Sequence, residues 1–104
     1  MNKKVYWAGI EYIYTKKSLD YNKLKGGFVY AFVSAKNKNI ALNNIKKELR
    51  NIHLNPVDIE FISLYDINTK WNNEEQTKNY INLFNESEKS NQVLFDTFYA
   101  YEND

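Results

Sequence analysis

The chain has 104 residues, 43% hydrophobic and 16% aromatic, which is enough apolar side chain for one core and too much for a disordered polymer. Its 14 basic and 13 acidic residues leave a formal net charge of +1, so no global field gathers nucleic acid or an anionic membrane at the surface. Cysteine is absent, which excludes disulfides, thiolate metal sites and cysteine nucleophiles together.

The first residues, MNKKVYWAGIEYIY, lack the continuous apolar core and cleavage site of a secretory signal. No apolar run approaches the roughly 18–20 residues that cross a bilayer. A cytoplasmic protein with no membrane partner is the expectation, organised as one α+β domain over residues 1–104.

Residues 4–15, KVYWAGIEYIYT, are β-branched and aromatic and predict a first strand. The polar stretch 16–27, KKSLDYNKLKGG, predicts a connection closed by a turn at Gly26 and Gly27. Its Lys16, Lys17, Lys23 and Lys25 make a local basic loop, best explained as a solvated connection. FVYAFVSA, residues 28–35, is the second strand.

Residues 37–54 change period: Leu42, Ile45, Leu49 and Ile52 form one helical stripe, with Asn37 or Asn39 as cap and Pro56 barring continuation. His53, the only histidine, falls near the helix end, where an imidazole suits the carbonyl pole of the dipole; no ligand spacing around it suggests zinc. VDIEFISLYD, residues 57–66, predicts the third strand. Asn72, with Glu75 three positions later, matches a capping pattern for a second helix over 73–89 bearing Tyr80, Ile81 and Phe84. Residues 92–102 predict the last strand.

The order ββαβαβ implies an α+β two-layer sandwich, a mostly antiparallel sheet with both helices on one face. If residues 67–71 add a short strand, the second part becomes a ferredoxin-like variant.

Alternation sorts the side chains. Tyr6, Ala8, Ile10 and Tyr12 form one set on the first strand; Val29, Ala31 and Val33 form its partner on the second. On the last strand Val93, Phe95, Thr97, Tyr99 and Tyr101 are expected inward. Left to the opposite face are the aromatics Trp7, Tyr30, Phe32 and Phe98, with the acids Glu11, Glu60 and Asp96. These seven are the candidate partner-binding residues.

No catalytic constellation, metal site or cofactor motif accompanies them. Glu74 and Glu75 suit a helix start, Glu86 and Glu88 face water, and the two glycines lack the lysine and spacing of a phosphate loop. The expectation is a non-catalytic protein-binding domain, in its most concrete form an immunity protein neutralising a cognate bacterial toxin, with acids and aromatic anchors meeting a basic toxin surface. The alternative is a homodimer or other homo-oligomeric structural or regulatory domain. A single-stranded nucleic-acid binder is third, since carboxylates beside the rings would repel phosphate.

Overall fold

A computed structural model describes residues 3–19, 21, 24–66, 68, 73–90 and 92–102. The elements are β1 (Lys4–Tyr14), β2 (Leu24–Ala35), α1 (Lys38–Asn51), β3 (Leu54–Leu64), α2 (Glu74–Lys89), β4 (Leu94–Phe95) and β5 (Tyr99–Glu102). The α+β class, the antiparallel sheet and the element order are those the sequence predicts.

β1 is central. It pairs antiparallel with β2 on one side and β3 on the other, and β2 carries both β4 and β5 on its far edge. β2 and β3 therefore run parallel, and α1 joins them over the full length of the sheet. Its stripe of Ala41, Ile45 and Leu49 packs on Tyr6, Ala8, Ile10 and Tyr12 of β1 and on Val29, Ala31 and Val33 of β2. Burying Ile45 or Leu49 of that stripe is worth about 1.5–3 kcal/mol of transfer free energy each.

α2 corrects the expectation of both helices on one face. Tyr80, Leu83 and Phe84 pack with Val5, Trp7, Tyr30 and Phe32, whose positions on β1 and β2 have the opposite parity to the set beneath α1. The helices therefore flank the sheet on its two sides. The handedness rule constrains parallel crossovers, and the same-face result needs a strand walk that keeps its direction. Here the walk reverses, from the β3 edge back to the β4 edge, and β3 and β4 are antiparallel. Helices on both sides also depart from the ferredoxin-like plan. Its extra strand would occupy residues 67–71, of which only Asn68, in a turn, is described.

The antiparallel relation has a second consequence. β3 leaves and β4 enters the sheet at the same end, so α2 departs from and returns to that end. It covers the near part of its face, whereas α1 has to travel from one end of its face to the other.

Local signals differ from the sequence reading at three places. Gly26 and Gly27 lie inside β2, which starts at Leu24, and make no turn. A Cβ at Gly27 would run into the Tyr12 hydroxyl and the Tyr99 carbonyl, so glycine serves close approach of neighbouring strands. α1 starts, as the sequence allows, with Asn37 Oδ1 accepting from the Ile40 amide at 2.9 Å, and past its cap Ile52 the chain turns at His53, whose φ of 65° is left-handed. The His53 carbonyl then accepts from the Thr15 amide (3.1 Å) and hydroxyl (3.0 Å), so its role is in the backbone. Finally, Asn73 caps α2, accepting from the Gln76 amide at 2.7 Å; Asn72, the residue the sequence favoured, lies outside the described residues, as does Lys23.

Gly27→Ala is expected to cost about 1–3 kcal/mol in urea unfolding because backbone on β5 must shift to admit the methyl group. His53→Gly is expected to raise stability by about 0.5–1 kcal/mol by relieving a left-handed non-glycine residue. Unchanged unfolding midpoints in both variants would contradict these assignments.

Candidate functional site

Bulges decide which side chains reach the α2 face. On β3 the register shifts between Gly9 and Ile10 and again between Glu11 and Tyr12, making Glu60 and Val57 the extra residues. Ile59 and Ile62 consequently both pack on the α1 side, while Phe61 and Asp58 point with Trp7 and Glu11 to the other. Between β4 and β5 the three residues Asp96, Thr97 and Phe98 lie opposite only Val29 and Tyr30. Strict alternation along the last strand thus fails at Thr97.

That failure moves Phe98. It was expected beside Trp7, yet its ring meets Phe95 at 5.4 Å and Tyr12 at 5.9 Å, on the α1 side of the sheet. Tyr99, expected inward, takes the place on the α2 side opposite Phe28 and is 50% exposed. The Tyr101 side chain lies outside the described part.

Rows of side chains run across the α2 face. The first, Ser63–Trp7–Phe32–Leu94, lies under α2. Trp7 stacks on Tyr30 at 5.4 Å and meets the edges of Phe61 and Tyr65 at 4.8 and 5.3 Å. Phe32 is 0% exposed and stacks on Tyr80 at 5.8 Å, so this candidate contact residue belongs to the core. Trp7 and Tyr30 are half-buried at the margin of the same cluster.

The second row, Phe61–Gly9–Tyr30, closes on itself. A Cβ at Gly9 would come within 2.6 Å of Phe61 Cε1 and 2.8 Å of Phe28 Cζ, so the two rings lean across the glycine from either side. Asp96 adjoins this row and is committed to α2. Its carboxylate accepts from Asn79 Nδ2 at 3.1 Å and from the Tyr80 hydroxyl, while its amide donates to the Tyr30 carbonyl at 3.0 Å. Burial, then this hydrogen bond to Asp96, holds the Tyr80 hydroxyl well above the ordinary tyrosine range.

Beyond α2 come Asp58–Glu11–Phe28–Tyr99 and, next to it, Asn55–Ile13–Gly26. Asp58, Ile13, Tyr99 and Asn55 are exposed, and Glu11 and Phe28 half-exposed. Among the described residues neither Glu11 nor Asp58 has an ion-pair partner. Alternation in the sequence groups Ile13 with Glu11, sets Asp58 outward on its strand and groups Phe28 with Tyr30, although of these only Glu11 and Tyr30 stand among the candidate contact residues; Tyr99, assigned inward, was hidden by the bulge. Glu60 is exposed on a bulge at the β3 edge.

No three histidine, aspartate or glutamate side chains converge among the described residues. The concavity between the start of α2 and the Thr97 bulge is shallow and lined by Asn73, Gln76, Asn79 and Asn82. No described helix is long and apolar enough to cross a membrane. No family model matches the chain, and searches of the curated proteins and of the solved structures return no match.

Phe32→Ala is expected to lose about 3–5 kcal/mol of stability, while Tyr99→Ala and Ile13→Ser change it by under about 1 kcal/mol, measured by urea unfolding. The Tyr80 hydroxyl gives a pH test. In the unfolded chain it ionises near 10.0, whereas in the fold it keeps its proton to higher pH. Its contribution is fully present below pH 10 and falls away as pH rises beyond, because the unfolded state loses that proton first. The wild-type stability should drop more steeply above pH 10 than that of Tyr80→Phe; superimposable slopes would contradict the buried hydroxyl.

Proposed function

We propose that the chain is a small non-catalytic protein-binding domain whose contact surface is the uncovered half of the α2 face. The observation that carries this reading is the row Asp58–Glu11–Phe28–Tyr99, left open beside a packed aromatic cluster. Rings seated on a rigid sheet lose little side-chain entropy on contact, and a pocket of aromatic anchors rimmed by charge is the usual anatomy of a tight interface. The most concrete form remains an immunity protein that occupies a cognate bacterial toxin in the cytoplasm.

Two physical arguments favour a different protein over a second copy. An isologous contact through this patch would bring a second pair of Glu11 and Asp58 carboxylates into the same interface with no basic group to answer them. The sheet edges are also poor templates for self-pairing. β3 carries Pro56 and the bulges at Val57 and Glu60, and the opposite edge is divided into β4 and β5 by the Thr97 bulge. Stacking of nucleic-acid bases on Phe28 and Tyr99 would bring phosphate toward Glu11 and Asp58, which disfavours that alternative.

The test is recovery of a partner from the native host on the wild-type chain and on Tyr99→Ala, Ile13→Asp and Phe28→Ala, each first checked for folding. Retention weakened at least about tenfold in the folded variants is expected. Equal retention by all of them rejects the surface. Light scattering of the isolated chain should give a monomer, and a stable dimer dissolved by the same substitutions would favour the homo-oligomer. Protection of growth against a toxin encoded beside the chain tests the immunity form separately.

A further inference from the structure

The near-neutral total conceals a polarity across the sheet. α1 carries Lys38, Lys46, Lys47 and Arg50 against Glu48, so the α1 side is basic. α2 carries Glu74, Glu75, Glu86 and Glu88 against Lys78 and Lys89, and the sheet beneath and beyond it adds Asp96, Glu11 and Asp58. The open half of the α2 face thus lies on the acidic side.

Within that half, Glu11 and Asp58 are directly opposite neighbours on adjacent antiparallel strands. Directly opposed residues have Cβ atoms about 4.5–5.5 Å apart, and like charges at that spacing oppose pairing. Asp96 is engaged by hydrogen bonds from the Tyr80 hydroxyl and the Asn79 amide, but Glu11 and Asp58 receive no ion pair from any described residue. Phe28 lies beside Glu11 on the next strand, and Tyr99 beside Phe28. Two carboxylates followed by two rings in one row present anionic acceptors and an aromatic surface to the same incoming group.

Resting on the protein-binding reading, we infer that this row receives an arginine side chain from a basic surface of the partner, its guanidinium between Glu11 and Asp58 and its flat face against Phe28. A guanidinium satisfies the features together: it donates in a planar fork to two carboxylates, stacks on an aromatic ring, and sheds water more readily than an ammonium. Lysine would answer the charge and leave the planar contact unmade. The acidic field of the α2 side draws such a partner to this face, and the basic α1 side turns it away from the other. A second copy could offer its α1 side instead, which would build open chains of molecules.

Three measurements test the assignment. In titrations followed by amide chemical shifts, a tetra-arginine peptide is expected to perturb residues 11, 28, 58 and 99, a tetra-lysine peptide to bind several-fold more weakly, and Glu11→Gln/Asp58→Asn to abolish both responses. Perturbation centred instead on Glu74, Glu75, Glu86 and Glu88, or persisting in the double variant, would overturn it. The double variant is also expected to have a higher urea midpoint than wild type, since the opposed charges are gone; a lower midpoint would mean the pair is satisfied within the fold and overturn it as well. Third, the partner recovered from the host should dissociate from the double variant and in raised salt. A partner that survives both yet is lost with Tyr99→Ala rejects the arginine contact and leaves the binding surface standing, whereas survival of all three treatments rejects both. Salt-sensitive oligomers of the isolated chain, dispersed by Lys46→Glu/Lys47→Glu, would assign the face to a second copy and overturn the inference.

Discussion

β1 has to serve two cores at once, and the rest of the structure follows from that. It is hydrogen-bonded on both edges, to β2 and β3, and its side chains alternate between the α1 and α2 sides. Tyr6, Ala8, Ile10 and Tyr12 lie under α1, whose crossover runs from one end of that face to the other. Val5 and Trp7 belong to a second cluster in which rings predominate. Cover over this face is partial, because the connection through α2 leaves and re-enters the sheet at one end. A helix of 16 residues extends about 24 Å, whereas strands of 11 and 12 residues extend about 36–40 Å, so a helix anchored at one end leaves the other bare.

Where the backbone keeps a period of two, the sequence was a sufficient guide. β1 and β2 pair without a register shift over Lys4 to Ile13, and the inward sets assigned from alternation are the sets that line the α1 core. The helical stripe was legible at Ile45 and Leu49, whereas Ile52, expected in it, lies past the end of α1 and is exposed, and Ala41 rather than Leu42 is the buried residue at its start. Composition reached the α+β class and element order for the same reason: each segment's local preference agrees with its place in the fold.

Legibility ended where one residue was inserted into a ladder. Nothing in DTFYAY marks Thr97 as an extra residue, because a bulge is a property of two paired strands and only one of them is in view. Its effect is nonetheless large, exchanging Phe98 for Tyr99 at the open face. The same holds for Glu60 and Val57 on β3, which put Ile59 and Ile62 on one side despite odd spacing. The position of α2 was illegible for a different reason, since it depends on strand order. The aromatic residues Trp7, Tyr30 and Phe32 were correctly grouped on one face, but whether that face is solvent or core depends on a helix more than forty residues away in sequence.

These two limits bear on how the candidate surface is to be understood. A residue can be partner-facing only after the fold has met its own demands, and the α2 face divides along that line. Phe32 and Asp96 are used up, the first by stacking under Tyr80, the second by closing the Thr97 bulge against α2. Glu11, Asp58 and Tyr99 have no comparable internal task, and Phe28, edge-on to Tyr30 at 4.9 Å, is only half-buried. An opposed pair of carboxylates contributes nothing favourable to the sheet, and an exposed tyrosine beside it adds little to the core. Positions that a stability argument would fill otherwise, set on a rigid four-strand platform and on the acidic side of the molecule, are the ones whose chemistry an external basic group would complete.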